Sequence, residues 1–156
     1  MAMIPLPPDF REFLKLLNDH EVRYLIIGGY AVGYHGYVRA TADMDIWIER
    51  SDSNAKRLVK VFKEFGFDVD ELNAEIFLEK EQVIRMGVPP IRIEVLTSIS
   101  GIEFKESYET RVKESWEGVS INIISLENLK RNKRASGRLK DLNDLEHLEW
   151  AAKEHG

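Results

Sequence analysis

Two short apolar runs constrain the fold of this chain more than any other feature of its sequence. Val22–Ile27 is almost entirely apolar and ends at Gly28-Gly29, and Asp43–Ile48 (DMDIWI) is a second run of similar length. Runs this short and this apolar are typical of strands buried inside a sheet. The chain between them is long enough for a short helix and a loop. The sequence therefore predicts a buried sheet with helices packed against it.

Hydrophobic periodicity and turn residues predict the remaining elements. The predicted helices are Asp9 (as N-cap) to Asn18, Tyr30 to a stop at Gly36, Ser51–Phe65 with Ser51 or Ser53 as cap and Gly66 as stop, and a C-terminal pair from Leu126 that breaks near Ser136-Gly137. The further predicted strands are Glu75–Leu78 and Gln82–Arg85 as a hairpin, Ile91–Leu96, and Val112–Trp116 with Val119–Ile124 as a hairpin around Glu117-Gly118. This order predicts an α+β fold, a mixed β-sheet with helices on one side and a C-terminal helical segment.

Composition narrows the class of protein. With 156 residues, 44% of them hydrophobic, the chain suits one packed domain, and we expect residues 1–156 to form it, with a core at 8–124 and C-terminal helices at 125–154. A net charge of -5 argues against a surface that binds nucleic acid all over. The absence of cysteine excludes disulfides and thiolate sites. No secretory signal or apolar run of about 20 residues is recognised, so we expect a cytoplasmic monomer or homodimer without membrane contact.

Two aspartates carry the first chemical signal. Asp43 and Asp45 are two residues apart on a predicted strand, so their side chains leave the same face with Cα atoms roughly 6.5 Å apart. Such carboxylates can converge on magnesium, which prefers oxygen ligands and keeps substrate phosphates in its shell. Glu94 is the candidate third acid because it lies among apolar neighbours mid-strand. The alternatives are an ordinary solvated pair of aspartates and, for Glu94, an ion pair with Arg92 on its own face.

The glycine pair carries the second signal. Gly28 and Gly29 stand where a buried strand meets a helix, and glycines there let the backbone approach a phosphate while free N–H groups face it. The segment lacks both the Gly-Lys-Ser/Thr ending of a P-loop and the G-x-G-x-x-G dinucleotide pattern. An ordinary tight turn is the alternative interpretation.

Taken together, these residues resemble a known enzyme superfamily. The run GGYAVGYHGYVRATADMDIWIE resembles the nucleotidyltransferases of the DNA polymerase β type, and within them the abortive-infection toxin (AbiEii-like) branch. The matching positions are Gly28, Gly29, His35, Gly36, Arg39, Thr41, Asp43 and Asp45, and in the C-terminal segment Lys133, Gly137, Arg138, Lys140, Asp141 and Asp144. The chain departs from the resemblance in its third acid, which is glutamate, and in lacking most of the second half that longer relatives have.

The resemblance implies a Mg²⁺-dependent enzyme, with Mn²⁺ as a substitute ion, that moves a nucleoside monophosphate from a nucleoside triphosphate to a hydroxyl. It implies that Asp43, Asp45 and Glu94 are the catalytic metal ligands. The charges of the side chains and the chemistry of the glycine loop predict the residues that bind the nucleotide, which are Gly28, Gly29, Arg39, Thr41, Lys133 and Arg138. The roles of Asp141 and Asp144 stay open. For His35, packing or capping of the helix end is favoured over catalysis.

The acceptor is the least constrained part of the prediction. A basic cluster, Lys130, Arg131, Lys133, Arg134, Arg138 and Lys140, could guide an RNA such as a tRNA end, or could be a solvated helix face. A toxin–antitoxin setting would add a cognate antitoxin as partner. The alternative function is a catalytically degenerate module of the same fold that binds a nucleotide or a partner protein.

Overall fold

Six strands form one mixed sheet at the centre of the molecule. The computed structural model describes residues 5–155, and its strands follow the order β3-β4-β2-β1-β6-β5. Their bounds are β1 Tyr24–Ile27, β2 Asp43–Ile48, β3 Val83–Met86, β4 Arg92–Leu96, β5 Val112–Trp116 and β6 Val119–Ile123. Strands β2 and β4 are parallel, as are β1 and β6, and the other neighbours are antiparallel. The predicted α+β class with a mixed sheet is confirmed.

Helices pack against the sheet and against one another. They are α1 Pro8–Asp19, α2 Gly28–Tyr34, α3 Asp52–Glu64, α4 Phe104–Glu109, α5 Leu126–Ser136 and α6 Leu139–His155, with a short 3-10 helix at Ala74–Phe77. Helix α3 starts where predicted, because the Ser51 side chain accepts a hydrogen bond from the Asn54 N–H. Within residues 5–155, no helix is both long enough and apolar enough to cross a membrane.

The hydrophobic core lies between the central strands and the first helix. All four residues of β1 are buried, and α1 buries Phe10, Phe13, Leu14 and Leu17 against the sheet. The rings of Phe13 and Phe62 meet edge to face, with centroids 5.7 Å apart. This packing anchors the central strands, among them β2, which carries Asp43 and Asp45.

Three predicted boundaries near the N-terminus are wrong. Asp9 does not cap α1: Pro7 is the N-cap and Pro8 the first helical residue, since proline's fixed φ suits the first turn and its missing N–H is not needed there. The strand predicted from Val22 begins at Tyr24, and the helix predicted from Tyr30 begins at Gly28. The glycine pair is therefore the first turn of α2, and no separate turn precedes it.

The predicted hairpin of Glu75–Leu78 with Gln82–Arg85 is also wrong. Residues Ala74–Phe77 form the 3-10 helix, which starts where the Asn73 side chain accepts a hydrogen bond from the Ile76 N–H. The second arm becomes β3 and pairs with β4. Helix α4 was not predicted, because a six-residue helix without a side-chain cap leaves little periodicity to detect.

The C-terminal half follows the predicted order. Glu117 and Gly118 both have positive φ, 48° and 84°, and join β5 to β6 as the predicted hairpin. The break between the last two helices falls at Gly137, which adopts the left-handed conformation at φ 64° and donates its N–H to the Lys133 carbonyl. Beyond this turn α6 packs against α5, and polar side chains of the two helices meet, as in the ion pair of Lys133 with Asp141.

Candidate active site

Parallel pairing of β2 and β4 assembles the acidic side chains. Asp43 and Asp45 share one face of β2, and Asp45 lies in register with Glu94 of β4. One carboxylate oxygen of each residue lies within 4.8 Å of the others, and all three side chains are partly buried. They line a cavity of about 910 Å³ together with Gly28 and Gly29. The geometric expectation from the sequence is met, while the roles of these residues stay predictions.

Asp43 and Glu94 each accept hydrogen bonds from arginine. Arg92 donates from Nε to Asp43 Oδ1 at 2.6 Å and from Nη2 to Asp43 Oδ2 at 3.0 Å, and its Nη2 lies 3.5 Å from Glu94 Oε1. Arg85 donates to Glu94 Oε1 at 2.9 Å. The hydrogen bond to Asp43 raises the pKa of Arg92. Arg92, which the sequence offered as an ion-pair partner for Glu94, thus pairs chiefly with Asp43.

Asp45 is the exceptional member of the acidic trio. Its Oδ1 atom is buried and has no hydrogen-bond partner within the described chain. Burial is the largest cause that raises the pKa of Asp45, and together with the negative charges of Glu94 and Asp43, and against the opposing charge of Lys140, it brings that pKa to about 7. A buried carboxylate without a donor is costly, and a cation held between Asp45 and its neighbours would remove that cost. The three oxygens therefore fit a hard divalent ion such as Mg²⁺.

The glycine pair is required by close packing against the acidic strand. Gly28 has φ +66°, and a Cβ there would lie 2.1 Å from Asp45 Oδ2. A Cβ on Gly29 would lie 2.5 Å from the Oγ1 of Thr41, which itself donates to the Asp43 carbonyl at 3.2 Å. The start of α2 can thus approach the carboxylates only because both positions lack side chains. Both glycines and Thr41 line the cavity, as expected for residues that would meet a nucleotide.

A buried ion-pair network holds the opposite wall. The Lys133 ammonium lies 3.2 Å from Asp141 Oδ1 and 3.0 Å from Asp144 Oδ2. Arg39 donates to both oxygens of Asp144 at 2.8 Å, which ties the loop before β2 to α6. Burial would raise the pKa of Asp144, but hydrogen bonds from Arg39 and Lys133 outweigh it and the pKa is lowered. Lys133 and Arg39 therefore already have carboxylate partners.

Arg138 belongs to the same wall but is more accessible. It donates from Nε to Asp141 Oδ2 at 2.7 Å, and its side chain is 76% exposed, against 6% for Lys133. Burial tends to raise the pKa of Asp141, and the hydrogen bond from Arg138 together with Lys133 lowers it overall. Arg39, Lys133 and Arg138 all line the cavity, so a nucleotide bound there would lie near the residues predicted to contact it. Arg138 is the most exposed of the three cations, and if it turned toward a ligand Lys133 would still pair with Asp141.

Lys140 is a site residue that the sequence analysis missed. It lines the cavity, is exposed, and forms no ion pair among residues 5–155, while its charge lowers the pKa of Asp45. The sequence places it in the basic cluster and in the C-terminal part of the resemblance, three residues after the Gly137 turn. Its position at the start of α6 was the feature of the sequence that could have identified Lys140 as a cavity residue. Its orientation toward Asp45 depends on how α6 folds back, which the spacing alone does not give.

His35 has a structural position. It is the C-cap of α2, and its ring forms a hydrogen bond with the Ile124 carbonyl at 2.7 Å. Burial lowers the pKa of the imidazole, with the Ile124 hydrogen bond as an opposing effect. The predicted packing and capping role fits this environment, and His35 is not among the residues that line the cavity.

Comparisons with known proteins relate most of the chain to one family and to one fold. A sequence model of the aminoglycoside-2''-adenylyltransferase family matches residues 9–148. A candidate nucleotidyltransferase from Thermotoga maritima superposes with a TM-score of 0.56 at 18% identity, over 93% of this chain and 91% of that one. An antigenic nucleotidyltransferase-like protein from Paracoccidioides brasiliensis gives a TM-score of 0.54 at 20% identity, over 92% and 77% of the two chains. No curated protein sequence matches the chain.

Proposed function

This chain belongs to the aminoglycoside-2''-adenylyltransferase family, and on that premise we propose that it transfers a nucleoside monophosphate from a nucleoside triphosphate to a hydroxyl, with release of pyrophosphate. The observation that carries the proposal is the meeting of Asp43, Asp45 and Glu94, with ligand oxygens within 4.8 Å, in a cavity that is also lined by cationic side chains, among them Arg138 and Lys140. Carboxylates alone would repel a triphosphate. Carboxylates beside cationic groups suit a complex of triphosphate and metal.

We assign the metal to the carboxylates and the phosphates to the cationic wall. Asp43, Asp45 and Glu94 would hold Mg²⁺, which when bound neutralises the charge that develops on the phosphate oxygens. Glu94, which carries exposed Arg85 as its partner, would also accept the proton of the acceptor hydroxyl. The N–H groups at Gly28 and Gly29 and the ammonium of Lys140 would face the triphosphate.

For the acceptor we propose a sugar hydroxyl. The cavity continues past the acidic trio to Ser98, Ser100 and Asn132, whose short neutral polar groups suit hydroxyl ligands. A small aminoglycoside-like molecule, as the family's name suggests, and an RNA end both offer such a hydroxyl. Exposed Arg131, which has no ion pair within residues 5–155, supports the RNA source that a tRNA-modifying toxin of the AbiEii-like branch would use. Such a toxin would have an antitoxin partner.

The experiment that tests the function uses each α-labelled nucleoside triphosphate with Mg²⁺ in three arms: no acceptor, an aminoglycoside, and total RNA. We expect label on one acceptor together with released pyrophosphate, and none with Asp43→Asn. Label on the aminoglycoside or on RNA identifies the source of the hydroxyl. Nucleotide binding without transfer in any arm would contradict the enzyme and favour the degenerate binding module.

Replacement of Lys140 with methionine should weaken nucleotide binding without loss of stability. Because Lys140 is exposed and unpaired with any described carboxylate, its loss removes a charge-assisted contact to phosphate, and we expect affinity to fall roughly ten- to a hundredfold. Calorimetric titration with a non-hydrolysable triphosphate measures this, and Lys153→Met, an exposed lysine farther along α6, is the control. Equal affinity of the Lys140 variant and the parent would contradict the assignment.

A further inference from the structure

The acidic trio is neutralised from within the sheet. Arg92 uses two nitrogens to contact both oxygens of Asp43, at 2.6 and 3.0 Å, and also lies 3.5 Å from Glu94. Arg85 contacts the same Glu94 oxygen at 2.9 Å. Two of the three carboxylates proposed as metal ligands therefore have guanidinium partners, and the third, Asp45, has none for its buried Oδ1.

Strand register fixes these contacts. Arg92 lies opposite Asp43 in the parallel pair of β2 and β4, and Arg85 lies opposite Glu94 in the antiparallel pair of β3 and β4. Side chains of paired residues on one sheet face are neighbours wherever their rotamers allow it. The backbone pairing thus presents both guanidinium groups to the carboxylates, and Arg85 also lines the cavity.

The charge count of the site follows directly. With all three carboxylates ionised, the trio and the two guanidinium groups carry a formal charge of −1 (−3 + 2). One divalent cation would already make the site positive, and a second would add repulsion in a partly buried place where charges are weakly screened. A triphosphate brings several negative charges and restores the balance. In this cavity the positive charge of the metal ion and the negative charge of the nucleotide therefore compensate each other.

We propose that Arg92, assisted by Arg85, makes the binding of the divalent ion and of the triphosphate interdependent. This inference rests on the proposed function. In the absence of nucleotide, an ion has to compete with the Arg92 guanidinium for Asp43 oxygens and meets a positive neighbour, so it binds weakly. When the triphosphate is present, its oxygens offset the guanidinium charges, and Arg85, which lines the cavity, can turn from Glu94 to a phosphate. Ion and nucleotide then raise each other's affinity by the same factor.

Mn²⁺ binding measures this coupling without reliance on turnover. Free Mn²⁺ is followed by electron paramagnetic resonance at pH 8 in titrations of the parent and of Arg92→Met, each with and without a non-hydrolysable nucleoside triphosphate. We expect Arg92→Met to bind Mn²⁺ alone roughly ten- to a hundredfold more tightly than the parent, because one charge-assisted contact no longer competes. The factor by which nucleotide tightens Mn²⁺ binding should be smaller in the variant.

Three further variants make the result decisive. Arg57→Met removes an arginine of α3 that contacts only the Glu21 carbonyl, and it should bind Mn²⁺ like the parent. Arg92→Lys keeps the charge without the two-pronged contact and should fall between parent and Arg92→Met. If circular dichroism shows that Arg92→Met does not fold, Arg85→Met serves in its place, with a smaller gain expected because Arg85 is 58% exposed.

Failure of this inference and failure of the proposed function give different results. If Asp43→Asn abolishes Mn²⁺ binding while Arg92→Met, or its substitute, binds the ion alone no more tightly than the parent, the coupling role is wrong and the metal site stands. If Asp43→Asn binds Mn²⁺ like the parent, the ion does not use the acidic trio, and both the proposed function and the coupling role are overturned.

Discussion

The metal-free protein should become more stable when Asp45 is replaced with asparagine. Folding raises the pKa of this carboxyl from 3.8 to about 7, so the folded state holds the proton more tightly than the unfolded state. The parent should therefore lose stability as pH rises from about 4 to 7, and the full penalty should remain at pH 8. One pKa unit corresponds to about 1.4 kcal/mol, and water entering the cavity reduces the effect, so we expect a gain of roughly 1–3 kcal/mol for the variant at pH 8.

Urea unfolding in the presence of EDTA at pH 5 and pH 8 measures this difference. The advantage of Asp45→Asn should be larger at pH 8, because asparagine does not titrate. Destabilisation of the variant at both pH values would contradict the account and assign Asp45 a structural role.

The same substitution should remove activity. Asp45→Asn replaces a proposed metal ligand, and we expect nucleotide transfer to fall on the order of 10²- to 10³-fold, the range for loss of one preorganised electrostatic contact. Mn²⁺ with a nucleoside triphosphate should raise the thermal midpoint of the parent and not that of the variant. A variant that is more stable without metal and also inactive identifies a carboxylate whose role is to bind the metal ion and not to stabilise the fold.

Replacement of Asp144 with alanine should have the opposite effect on stability. Asp144 is fully buried and accepts hydrogen bonds from Arg39 at 2.8 Å while it pairs with Lys133 at 3.0 Å. Its removal leaves the buried Lys133 ammonium with one carboxylate partner and leaves the Arg39 guanidinium with only its hydrogen bond to the Ala40 carbonyl among the described residues, and we expect a loss of about 3–5 kcal/mol. Because the folded-state pKa of Asp144 is lowered, its contribution is present above the unfolded pKa of about 3.8 and is lost as pH falls through the folded value.

A matched control lies on the same helix. Glu149 pairs with Arg134 at 3.2 Å, but both side chains are about half exposed, so Glu149→Ala should cost at most about 1 kcal/mol. Chemical unfolding of both variants at pH 7 provides the comparison. If Asp144→Ala were as stable as Glu149→Ala, the network would not be what ties the loop at Arg39 to α6, and Lys133 would be free to serve the triphosphate as the sequence suggests.

Lys133 and Lys140 show where inference from sequence reaches its limit. Both are lysines of the basic C-terminal segment that match the resemblance, and only Lys133 was assigned a phosphate contact, on the ground of its charge. The fold buries Lys133 between two aspartates and leaves Lys140 unpaired at the cavity. Partners that lie eight or more residues away across a helix turn depend on the angle at Gly137, and local patterns do not encode that angle.

The sequence by itself determined the elements whose signal is local. The apolar runs gave β1 and β2, serine and glycine signals gave both ends of α3 and the end of α5, and the spacing of Asp43 and Asp45 required both carboxylates on one face. Only the tertiary structure decided which strands pair, and therefore that Glu94 joins the aspartates, that β3 pairs with β4 rather than with residues 75–78, and that Arg92 turns to Asp43. The physical reason is range: periodicity and capping act over a few residues, whereas register and ion-pair choice are settled by burial of the whole core.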